Sequence, residues 1–402
     1  MSIADTPAAQ PRLRALTYEG FRLFFVLSAG HMALWPVLWV VVAGLNLPLA
    51  GDAPPSLWHA HELIVGSFGA ALIGFLTTAL PEWTDTTPLR GRPLVLLAVP
   101  WGIARLIGLL GWDGAAWLGG LCDLIWLGTL MAYAAWLSWR KWTDRFLVFL
   151  FWLAVLTGAE ITARIGMILG DYDLTHLGTH GTGFAFLGLL AIALGRISVP
   201  VTNVILDPTE TSSPFRPHPG RLTLAAGLVF VAMVGEIAGV SENVRGFLWI
   251  AAGAGFLDRV GEAFIGRAFF RLEILVLAGS AALAGAGLLL LGASLLGAPF
   301  GPHAGLHLAF MGGLGMGVLT VFAIAGLMHT GRSLPFPRLM WVAFGLLIAA
   351  ALTRIGPDLG LIDHPFGTPY VLASLLWAGA ALTWLVGFWP MLSKVEGGHS
   401  CG

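Results

Sequence analysis

Apolar residues run along this chain in blocks of roughly 17 to 25 positions, the length a helix needs to cross a bilayer. Twelve blocks are read, at about 21–45, 60–80, 93–110, 115–137, 146–169, 178–199, 221–240, 245–258, 274–297, 304–327, 339–353 and 370–390. Polar segments rich in turn-formers separate them, such as "GDAPPS", "PEWTDTTPLRGRP" and "ILDPTETSSPFRPHPG". The pattern predicts an all-α polytopic membrane protein, a bundle of about twelve helices forming one integral membrane domain over 1–402. A polar segment at 1–20 and a flexible tail at 391–402 flank it, and no short apolar core of a signal peptide is read at the start.

Composition agrees with lipid. Of the 402 residues, 57% are hydrophobic and 11% charged, where a soluble domain carries about a quarter charged. The net charge of −1 removes nucleic acid as a partner, since that needs a concentrated basic face. Cys122 and Cys401 form no disulfide framework and no CxxC unit. With the N-terminus placed in the cytoplasm, 17 of the 21 Lys and Arg residues fall on the cytoplasmic side. Only Arg105, Arg164, Arg245 and Arg354 fall outside, and both termini are predicted to be cytoplasmic.

That topology gives each histidine a depth. His59 and His61 open the second predicted helix, His176 and His180 the sixth, His303 and His307 the tenth. All three helices start at the outer face, so six of eleven histidines gather at one level. His364 lies in the last outer loop and His31 within helix 1; His218, His329 and His399 are on the inner side. A helix N-terminus disfavours imidazolium, and neutral imidazole is the form that binds metals. Residues four apart share a helix face, so His176/His180 and His303/His307 could each chelate one metal, or present one ligand and one supporting donor. His59 and His61, two apart, face different neighbours. Glu62 at this depth must be paired, metal-bound or a proton carrier.

Three stretches resemble one another: "ARLIGLLGWD" (104–113), "ARIGMILGDYD" (163–173) and "TRIGPDLGLID" (353–363). They set Arg105, Arg164 and Arg354 near the histidine level, where arginines need anions. Ion pairing with Asp113, Asp171, Asp173, Glu160 or Asp363 is one use; binding haem propionates is the other. Gly66, Ala70 and Gly74, and Gly313 and Gly317, leave small-residue stripes for close helix packing or for a flat macrocycle. Helices 2, 6 and 10 are four apart, which hints at a threefold repeat of four spans.

"WHAHELIVGSFGAALIGFLTTALPEWT…PLRGRPL" resembles the opening signature of the NnrS family. "LHLAFMGGLGMGVLTVFAIAGLMHTGR" (306–332) resembles its second, and "ALGRISVPVTN" (193–203) a looser third. The resemblance implies a multi-pass protein of the bacterial inner membrane that binds haem, of the b type, and copper. It implies a place in the nitric oxide response, with nitrosative stress and denitrification as the setting. His59, His61, Glu62, His329, Gly331 and Arg332 match motif positions; His176, His180 and His303 come from spacing alone. The expected function is binding and removal of nitric oxide at the outer histidines, extending to reductase chemistry with Glu62 as proton carrier and an unidentified electron donor. The alternative is a metal-ion or small-anion transporter using the same histidines, and a regulatory or assembly role is the third. His329 is read as a structural cap of helix 10 beside Arg332, or as part of an inner site, and the tail histidine and cysteine, His399 and Cys401, as incidental. Spacing leaves open which histidine holds haem and which copper.

Overall fold

The computed structural model describes residues 12–45, 54–111, 113–363 and 369–394; His364, His399 and Cys401 lie outside them. Each predicted block falls on a helix: α1 (Gly20–Leu45), α2 (Pro55–Thr84), α3 (Arg92–Leu110), α4 (Ala116–Arg140), α5 (Leu147–Leu169), α6 (Tyr172–Leu206), α7 (Leu224–Ile237), α8 (Glu242–Val260), α9 (Leu272–Leu295), α10 (Pro302–Met328), α11 (Leu339–Ile355) and α12 (Pro369–Leu392). Among the described residues there is no strand, and nine of these helices are long and apolar enough to cross a membrane. The other three are α7 and α11, which are short, and α8, which carries Glu242, Arg245, Asp258 and Arg259. Helix α6 runs beyond its predicted ends, to Leu206 at one and to Tyr172 at the other, where the Asp171 carboxylate accepts the Leu174 amide at 2.9 Å and starts the helix early.

Successive helices pack side by side, and α12 returns to pack on α1. The helices α2, α6 and α10 fill the middle. Their apolar windows are 89%, 72% and 72% buried, against 39–56% for the other six crossing helices. The small-residue stripes serve this packing. A methyl group on Gly74 would lie 2.8 Å from the Phe25 ring, and one on Gly313 2.6 Å from Ala284. Close packing therefore occupies the face that the macrocycle reading required. The threefold pattern is partial: α2 and α10 each contain a π-helical stretch, Glu62–Phe68 and Leu308–Leu314, whereas α6 is α-helical throughout.

Helix ends alternate between two levels. At one, the buried Arg22 of α1 donates through Nη1 to the carbonyls of Met391, Leu392 and Lys394, capping the C-terminus of α12 at 2.9–3.0 Å. His329, at the end of α10, lies there too, 3.5 Å from Glu82 of α2. Arg22→Ala would strand three carbonyls at a helix end; bonds from a charged donor are each worth about 1.5–3 kcal/mol. A lower midpoint in a thermal melt of the detergent-solubilised protein is the expected result.

Candidate functional site

At the opposite level, two groups of polar side chains lie one above the other. Both are organised by the π-helical stretches, which begin directly after His61 and after His307. A π turn inserts one extra residue and rotates the remainder of the helix, a device found often at functional sites.

The inner group is a closed ring. Glu62 accepts from Arg105 Nη1 at 3.0 Å, and Arg105 Nη2 donates to both oxygens of Asp123 at 2.6 and 2.7 Å. Arg164 Nη2 donates to the same Asp123, and its Nε to Glu160 at 2.8 Å. His61 Nε2 lies 3.0 Å from Glu160, and its Nδ1 3.2 Å from Glu62, which completes the cycle. Trp126 Nε1 adds a bond to Asp123 at 2.8 Å. All six ring residues are buried, none more than 8% exposed. Carboxylates only accept, so both His61 contacts require both of its nitrogens to carry protons. Three anions then alternate with three cations, and the ring is neutral, as burial in an apolar medium demands. His31 borders it: Nδ1 pairs with Ser67 Oγ at 2.9 Å, while Nε2 stands 3.8 Å from Glu62.

One glycine makes room for the ring. A Cβ on Gly108 would come within 2.6 Å of Glu62 Oε1 and 2.8 Å of its Cδ. Gly108→Ala should push Glu62 off Arg105 and lower stability by about 1–3 kcal/mol, the usual penalty of overpacking. A thermal melt against wild type checks this.

The outer group is open. His59 stacks on Trp39 of α1 with centroids 4.7 Å apart, and its Nδ1 is buried with no hydrogen-bond partner. His307 Nδ1 donates to the carbonyl of His303 at 2.8 Å. That bond fixes the tautomer and leaves the Nε2 lone pair free, the arrangement that orients metal-binding histidines. Arg354 interacts electrostatically with both His59 and His307. It pairs with Asp358 at 2.8 Å, and its guanidinium lies 5.1 Å from the Tyr370 ring centroid. His176 and His180 touch, with centroids 3.9 Å apart, and both are in electrostatic reach of His303. Five histidines thus belong to the mouth, joined by two direct contacts, His307 to the His303 carbonyl and His176 to His180, and the sixth, His61, belongs to the ring beneath.

The predicted site residues divide accordingly. His59 and His61 face different neighbours: His59 the mouth, His61 the ring. Between His303 and His307 the structure shows one bond, from the His307 ring to the His303 backbone carbonyl. Arg105 and Arg164 are held by carboxylates, and of the partners expected for them only Glu160 is among these; Arg354 takes Asp358 in place of Asp363. Asp123, the hub of the ring, was not singled out in the sequence. Its signal was a lone carboxylate in the apolar run of α4, which in a membrane helix points to a function or a buried partner. His61, Asp123 and Glu160 each bring one donor atom within 4.8 Å of the others, a group that could hold a metal ion. An ion there would compete with Arg164 for both carboxylates.

The family profile described as NnrS protein matches residues 15–395. The chain belongs to the NnrS family. No curated protein matches it. Parts of the NnrS-like signatures prove to be structural. In "HTGR", Gly331 takes φ 71°, Arg332 N bonds to Leu327 O at 3.0 Å and Gly331 N to Met328 O at 3.1 Å, a Schellman stop for α10. The Arg332 residue is exposed, and His329 packs its ring 5.3 Å from Phe21, so both sit at the opposite end of the bundle from the mouth. In the third stretch, Asn203 clamps the Phe215 backbone through both amide atoms, at 2.7 and 3.3 Å. The "WHAHE" stretch is different, since its polar atoms supply both the mouth and the ring.

Proposed function

We propose that this NnrS-family chain is a twelve-crossing protein of the bacterial inner membrane, with both termini in the cytoplasm, that holds haem b and copper at the outer mouth and binds nitric oxide there. One observation carries the reading: at the mouth, His59 Nδ1 is buried without a hydrogen-bond partner, and the nearby His307, held through Nδ1, keeps its Nε2 lone pair free. A buried nitrogen without a partner is unfavourable unless something binds it. The residues fit the groups, because imidazole suits both haem iron and copper. His59 and His307 are assigned to the metals nearest Arg354, and His176, His180 and His303 to the second centre. Haem bound there would supply an iron that binds nitric oxide, and a copper beside it would extend this to reduction of two nitric oxide molecules, which takes two protons and two electrons from an external donor.

The chain's own residues do the rest. Trp39 fixes the plane of the His59 ring by stacking, and the His303 carbonyl fixes His307. Arg354 offers a guanidinium to haem carboxylates, sharing it with Asp358. Glu62, ionised and bonded on both sides within the ring, holds the base of the mouth in place and would pass on a proton received from His61, which donates to it. Arg105 and Arg164 support that base through Asp123.

Haem absorbance and copper content of the purified protein test this reading. Arg354→Gln removes one charged contact and should weaken haem retention about tenfold, the equivalent of about 1.4 kcal/mol. A colourless, folded protein that moves metal ions across vesicle membranes would put the transporter in its place.

A further inference from the structure

Below the mouth, the central helices border a second feature, open on one side and lined by no polar side chain. It is a cavity of about 60 Å³ between α2, α5, α6 and α10, walled by Phe68, Phe75, Phe149, Phe186, Val318 and Phe322 together with smaller aliphatic residues and Gly317. Every residue lining it is apolar. Its place is set by the same π-helical stretches that shape the mouth. Their last residues, Phe68 and Leu314, both line it. The lining starts seven residues after His61 (68 − 61), six after His180 (186 − 180) and seven after His307 (314 − 307). At 1.5 Å per residue that is about 10 Å beneath the histidines on all three helices. Phe75, Val318 and Val321 are half-buried while the other lining residues are buried, which marks the side on which the cavity opens.

Size and chemistry select the guest. Water needs two to four polar partners to stay in a cavity, and this one offers none from its side chains; an apolar cavity of this kind stays dry and takes apolar guests such as xenon. Pockets for drug-sized ligands run to about 300–1,000 Å³, so a macrocycle does not fit here. A diatomic gas does. Such gases dissolve in hydrocarbon, and the opening lies along the apolar length of the central helices.

We propose that this cavity binds one small apolar gas molecule and, resting on the function proposed above, that it holds nitric oxide between the bilayer interior and the histidine mouth.

Xenon is the probe. The full-length protein is purified in detergent and crystallised, the crystals are pressurised with xenon, and its binding is followed in parallel by xenon NMR. The expected result is one xenon among Phe68, Phe186 and Phe322, lost in both Ala71→Leu and Ala193→Leu, which add side chain to the lining from α2 and α6. The two variants fill the space from different helices, and the wild-type site alone decides if neither yields folded protein. No xenon at this position, xenon retained in a folded variant, or a lipid chain in the cavity would overturn the proposal. Haem absorbance without xenon binding would remove the gas site and leave the function standing. Xenon binding in a colourless protein would do the reverse, leaving a site for an apolar molecule and removing nitric oxide.

Discussion

His59→Ala is expected to abolish haem absorbance in the purified protein while leaving it folded. The His59 ring makes one aromatic contact, with Trp39, and its buried Nδ1 bonds to nothing in the protein. Its removal takes away a stacking interaction of about 0.5–1.5 kcal/mol and no hydrogen bond. Such a loss is small against the roughly 5–15 kcal/mol that holds a typical domain together. A single symmetrical peak on size exclusion without absorbance in the haem region is the result that assigns His59 to the cofactor. Full absorbance in His59→Ala would move the haem away from the mouth. His61→Ala is the informative contrast, because it breaks two contacts to carboxylates inside the ring and should act on folding before colour.

The largest effect on stability is expected from Asp123→Ala. Asp123 receives hydrogen bonds from Arg105, Arg164 and Trp126, and it is fully buried. Without it, Arg105 keeps only the carboxylate of Glu62 and Arg164 only that of Glu160, the carboxylate between the two guanidiniums is gone, and the ring's charges no longer cancel. Breaking a buried pair by removing one partner costs about 3–5 kcal/mol, enough to take much of the protein out of the folded state. The variant should aggregate or run in the void on size exclusion. Asp123→Asn keeps an acceptor but loses the charge, and should fall between the two. A melting curve of Asp123→Ala that overlays wild type would show that the ring is not what holds α2, α3, α4 and α5 together.

The helices could be read from the chain because their cause is local: an apolar run of bilayer length must be helical to satisfy its own backbone. The gathering of histidines at one level also came from local facts, since each pair opens a helix that starts on the same side. What the sequence hid was partnership. Arg105 and Arg164 are marked by similar stretches, yet the residue joining them is Asp123, on α4, with no motif around it. Arg354 carries the same local signature and ends in the other group, because its helix, α11, packs by α10 and not by α4. The resemblance among the three stretches reflects an arginine ahead of a helix end: Gly170 and Gly360, at φ 66° and 67°, close α5 and the turn after α11. The division between a satisfied ring and an open mouth depends on the directions of His59 and His61. Two positions of spacing foretold that they diverge, but not which of them would keep a free nitrogen.

If the outer histidines hold a haem that binds nitric oxide, anaerobic titration of the reduced, purified protein with the gas, read by absorbance, will reveal it. A haem band that shifts in proportion to added gas and reaches a plateau is the expected result, with no such band in His59→Ala. A haem band that stays unchanged as gas is added, or a shift that persists in His59→Ala, would contradict a haem at the mouth.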